Sequence, residues 1–169
     1  DRRVDLLGLY GQCYINAIKK KLGKSNGWGG AGIYTSNYYK SKYAQDPTYA
    51  QSRSTKKALK RGALQKTQDI WKHLFDCSGL TKYANKAFGV PTGGEYAAEI
   101  ARNCILVPEN IAKWIPGCMI LFGKPPTSKS TSNRIANLEG QKVHVGHIEV
   151  AAGDGTTVYG SQGGRGVHK

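Results

Sequence analysis

Residues 75–80 read Phe-Asp-Cys-Ser-Gly-Leu. Asp76 is a residue type that caps helix N-termini, so Cys77 is expected in the first turn of a helix. Free backbone N–H groups and the helix dipole favour an anion there. The sequence therefore predicts a lowered thiol pKa at Cys77, with the thiolate as the reactive form. The Cys77 N–H is a candidate oxyanion donor, and Gly79 is expected to keep the approach to the sulfur open. A cysteine nucleophile also needs a base, usually histidine. The chain offers His73, His144, His147 and His168. His73 falls in a lysine-bearing helix just before the nucleophile turn, and His168 lies at the end of the sequence. His144 and His147 fall on a predicted strand, which would hold a base rigidly. A strand histidine taken alone is more often structural; its pairing with Cys77 gives it weight. Cys13, Cys104 and Cys118 have no comparable setting. No paired-cysteine spacing suggests zinc, and neither metal nor cofactor is expected.

The elements that must position these residues are legible in part. Residues 10–22 carry an apolar stripe of Tyr14, Ile15, Ile18 and Leu22 opposite lysines, which predicts a helix ended by Gly23. Residues 25–37 read as a loop. Residues 55–75 keep helical spacing through Leu59, Ala63, Ile70 and Leu74, with Ser54 or Thr55 as cap. A helix over 77–88 buries Leu80, Ala84 and Ala87 or Phe88 and stops at Gly89. A shorter helix fits 94–103. After Pro116 the pattern changes to strands at 118–122, 143–152 and 156–161, with a Gly-Asp-Gly turn at 153–155. Residues 124–142 read as a polar surface loop. On the strand 143–152, Ile148, Val150 and Ala152 share one face, and Val145, His147 and Glu149 the other. Helices followed by an antiparallel sheet define the α+β class.

The 169 residues suit a single domain over 1–169. No apolar run is long enough to span a membrane. The formal net charge is +14, and residues 1–75 hold 15 Lys and Arg against 4 Asp and Glu. Such a field favours a polyanionic partner: nucleic acid, an anionic membrane or an anionic cell wall. Tyr34, Tyr38, Tyr39, Tyr43 and Tyr49, interleaved with lysines, could stack on bases or sugars. Packing over a core edge is the commoner use of such rings.

The segments "FDCSGLTKYA" (75–84), "HIEVAAGDG" (147–155), "IPGCMILF" (115–122) and "AIKKKLGKSNGWGG" (17–30) resemble, in the right order, the motifs of the NlpC/P60 family of cell-wall cysteine peptidases. The gapless match selects His147 over His144. The resemblance implies a papain-like α+β fold, with N-terminal helices packed on a C-terminal antiparallel sheet. It implies hydrolysis of an amide bond in peptidoglycan stem peptides, with Cys77 as nucleophile and His147 as base. Asp76 and Ser78 match positions that help bind substrate, and Trp28 falls in the family's Trp-Gly-Gly loop. The partners implied are peptidoglycan and anionic wall polymers, with nucleic acid less favoured. A secreted or wall-associated, monomeric, autolysin- or phage-lysin-like protein is expected. This chain departs from the family at several points. The loop tyrosine falls on Asn26, with Tyr34 as a substitute. Cys118 replaces an acidic residue. A basic, tyrosine-rich insertion occupies about 31–75. The polar residue that orients the histidine aligns with Tyr159, which shares the face of His147 if Val158 joins Val150 on the core face. A one-residue change of hairpin register would turn Gln162 toward His147 instead.

Overall fold

The computed structural model describes residues 2–27, 29–32, 52–65, 68–87, 94 and 96–169. Trp28 and the five tyrosines of the insertion lie outside them, so the expectations placed there have no structural counterpart. Among the described residues no helix is long and apolar enough to cross a membrane.

Helix α1 runs Arg2–Lys19, starting before the expected segment and ending before Leu22. Ile15 and Ile18 are buried, whereas Leu22, past the helix end, leaves the stripe and is 42% exposed. Gly23 adopts φ 82 and donates its N–H to Val167 O at 2.9 Å, tying the turn to the last strand rather than closing the helix. The single helix expected over 55–75 is two pieces. Helix α2, Arg53–Lys60, is capped by Ser52, whose side chain accepts from the Thr55 N–H, and not by Ser54 or Thr55. It stops where Gly62 takes a left-handed φ of 73 and Ala63 N–H returns to Ala58 O. A 3₁₀ segment follows over Gln68–His73 and buries Ile70 and Trp71 with Leu74.

Helix α3, Cys77–Ala87, turns Leu80 and Ala84 into a core shared with Ile15, Ile18, Phe75, Val150, Tyr159 and Val167. Helix α4, Ala97–Arg102, packs Ala97, Ala98, Ile100 and Ala101 on Ala136, Val145 and Ile148. A four-residue helix α5, Glu109–Ala112, was not anticipated; it follows Pro108, which supplies the extended entry residue.

The sheet comprises β1 (Met119–Lys124), β2 (Ile135–Leu138), β3 (Gln141–Ala151), β4 (Val158–Gln162) and β5 (Gly166–His168). All pairings are antiparallel. The chain is thus a mixed helix and antiparallel-sheet protein, compatible with the α+β class. Strand β2 corrects the polar loop expected over 124–142. It joins β3 through Glu139 and Gly140, both at positive φ (52 and 81), the left-handed pair of a two-residue hairpin turn.

Strand β3 is central. His144 pairs with Lys124 on β1 and with Ile135 on β2, so β1 and β2 flank opposite edges. Val150 pairs with Met119 on one side and Tyr159 on the other, which puts β4 on the β2 edge. Between those two partners, residues 145–149 have no ladder pairing on that edge among the described residues. Opposite them, β1 pairs Phe122 with His147 but Gly123 with Val145, so Gly146 is the extra residue of a β-bulge. The bulge turns Val145 to the helical face alongside Ile148. That corrects the expectation that Val145 and His147 share a face.

Candidate active site

Asp76 caps α3 as its residue type requires. Its Oδ1 accepts from the Gly79 N–H at 2.6 Å and from the Ser78 hydroxyl at 3.2 Å, and its Oδ2 accepts from the Gly29 N–H at 2.8 Å. The carboxylate therefore joins two sequence motifs, the helix start and the loop after Trp28. Burial lifts its pKa, and these hydrogen bonds and Lys82 oppose the rise. Ser78 is itself buried. Both residues thus hold hydrogen bonds within the fold.

Gly79 also has a packing task. A Cβ there would stand 1.8 Å from Gly30 O. The Asp76 N–H also donates to that same carbonyl at 2.9 Å. Gly79 is thus the space into which the glycine loop closes on α3.

Cys77 occupies the first helical position, with its side chain half-buried against α4 and Ile148. Burial, then the Asp76 charge, push the thiol up to about 11. The backbone N–H groups of Ile148 and Ser78, and the charge of Arg134, act the other way without prevailing. The expected lowered pKa is therefore reversed: the helix start contributes, but desolvation of the thiolate outweighs it. No backbone partner is found for the Cys77 N–H among the described residues.

The Ile148 N–H that faces the sulfur belongs to the open stretch of β3 and follows His147 directly. Covalent geometry then puts the His147 Cα within about 6 Å of the sulfur. Among the described residues no hydrogen bond joins the sulfur to the ring. The ring instead points its Nε2 at Glu149 Oε1, 3.2 Å away, beside Phe122 (ring centroids 5.5 Å apart). Nδ1 has no hydrogen-bond partner among the described residues.

Tyr159 does not reach this group. It pairs with Val150, so its ring shares the helical face with Val150 and is buried in the core. The one-residue alternative register is the one adopted, and it turns Gln162 to the face of His147. Gln162 Nε2 donates to Glu149 Oε1 at 3.3 Å, not to the imidazole. His144 bonds Ser130 Oγ at 2.9 Å, and His73 Nδ1 lies 3.5 Å from Lys24 Nζ; both are engaged away from Cys77. No cysteine is disulfide-bonded among the described residues, and no cluster there could hold a metal ion.

Two site residues escaped the sequence reading. Glu149 was visible as a same-face neighbour of His147, but a charged residue two positions along a strand ordinarily faces solvent. Arg134 lay in a stretch read as loop, and nothing in its local pattern points to Cys77. No family model, curated protein or solved structure matches the chain.

Proposed function

We propose that this chain is a cysteine amidase or endopeptidase of peptidoglycan with a papain-like arrangement, secreted or wall-associated and free of cofactors. The observation that carries the reading is the Cys77 sulfur at a helix start, set against the N–H of the residue that follows His147. In the reaction, the Cys77 sulfur attacks the scissile carbonyl carbon as its proton passes to His147 Nδ1. The Cys77 N–H faces the oxyanion. Collapse breaks the C–N bond, the imidazolium returns the proton to the leaving amine, and a thioester remains. Water, deprotonated by His147, then cleaves the thioester to a carboxylate and restores the thiol. A thiol raised to about 11 is protonated at neutral pH, so proton transfer belongs to the attack step and no resting ion pair precedes it. The basic N-terminal half serves as the wall-adhesion surface.

The test is release of new amino groups from purified peptidoglycan, with the products read by mass spectrometry. Cys77→Ala is expected to abolish it; a variant as active as the parent refutes the mechanism. The raised thiol and the absent sulfur–ring hydrogen bond favour a second reading, a catalytically silent wall-binding module. That reading predicts pelleting with cell walls without amine release. Competition by DNA against wall fragments would move the assignment to nucleic acid.

A further inference from the structure

Glu149 is a carboxylate only 6% exposed, near the C-terminal end of the central strand. Such a group requires partners, and three side chains converge on its Oε1: His147 Nε2 at 3.2 Å, Gln162 Nε2 at 3.3 Å and His168 Nε2 at 3.8 Å. The chain also makes room for it. A Cβ at Gly160, the facing position on β4, would stand 2.8 Å from Glu149 Cγ. Ile120 pairs with Glu149 across the other edge. The carboxylate is therefore fixed from β4 and β5, while His147 hangs from it by one ring nitrogen.

We propose that Glu149 is the positioning residue for His147 in the hydrolytic reaction, the role the sequence assigned to Tyr159. The inference rests on the reading of Cys77 and His147 as a nucleophile and its base. A carboxylate accepts only, so a neutral His147 must carry its ring proton on Nε2. Nδ1 is then left as a lone pair. Nδ1 is the ring nitrogen nearer the backbone, and the sulfur faces that backbone one residue on. A base with the wrong tautomer cannot take the thiol proton, so losing the carboxylate is expected to lower kcat rather than substrate binding.

The experiment pairs kinetics with NMR on the full chain. In the parent, a hydrogen-bonded His147 Nε2–H resonance should be visible in water, assigned by its loss in His147→Asn. Glu149→Gln should weaken or remove it and lower kcat about 100-fold or more, with KM within about twofold; Glu149→Asp should recover part of kcat. A hydrolysing parent that lacks the resonance, or a Glu149→Gln variant with undiminished kcat, overturns the role of Glu149. A parent that shows the resonance but releases no amine overturns the hydrolase reading while leaving the Glu149–His147 contact intact. Because the parent resonance and its assignment need no variant at Glu149, a failure of Glu149→Gln to fold does not shield the proposal.

Discussion

Asp76→Asn separates two jobs that one carboxylate performs. The amide can still accept from the Gly79 N–H through its oxygen. Its nitrogen, however, would meet the Gly29 N–H that now lies 2.8 Å from Oδ2, donor against donor. Losing one charge-assisted hydrogen bond and leaving a backbone N–H unpaired should cost about 2–3 kcal/mol of folding stability. The same change removes the second cause of the raised Cys77 pKa. Burial, the larger cause, remains, so the thiol should fall from its value of about 11 but stay above the ordinary cysteine range. The sign is definite: a less stable protein with a more acidic thiol. Urea unfolding reads the first effect. The second is read from the pH dependence of Cys77 alkylation by iodoacetamide, followed by peptide mass spectrometry so that Cys13, Cys104 and Cys118 do not interfere. With its thiol pushed up to about 11, the parent should be alkylated at neutral pH roughly a hundredfold more slowly than a free model thiol. An Asp76→Asn titration that stays put, or moves up, would refute the electrostatic account of Cys77.

Gly79→Ala drives a methyl group into Gly30 O and should destabilise by about 3 kcal/mol or prevent folding; thermal unfolding within half a kcal/mol of the parent would show that the glycine loop does not close there. Tyr159→Phe should leave amine release essentially unchanged, whereas Tyr159→Ala should lose about 3–5 kcal/mol of stability by emptying a core position. A large fall in kcat for Tyr159→Phe at unchanged stability would return the tyrosine to the site.

Helix α3 was readable because a cap residue and a 3.6-residue apolar spacing agree at Asp76, Leu80 and Ala84. Strand β3 was readable from its alternation. What failed was the relation between elements. The face of Tyr159 depends on one residue of register, and that is set by the turn before β4. There Gly153 and Gly155 both take positive φ and Asp154 Oδ1 accepts from the Thr156 and Thr157 N–H groups. These local bonds fix the turn length, which apolar alternation does not record. The bulge at Gly146 likewise leaves no trace in the alternation, since its effect is to reverse the side on which Val145 lies. Strand β2 has only Ile135 and Leu138 as large apolar residues, so its one clear signal was the Glu-Gly turn. The pKa of Cys77 was misjudged in sign because helix position is local and legible, whereas desolvation comes from α4 and Ile148, remote in sequence.

Asn26 carries a consequence for how this domain can vary in length. Its carbonyl accepts from the hydroxyls of Ser52 and Thr55, and its N–H donates to Ser54 Oγ. Gly32, on the near side, donates to Leu74 O, and Leu74 bridges to Ser25. The chain thus departs from and returns to one small, hydrogen-bonded patch, like a cord with both ends clipped to the same bracket. Both flanks of the 33–51 interval are thus anchored on the same patch, so a change of length between them is expected to leave Cys77, His147 and Glu149 in place.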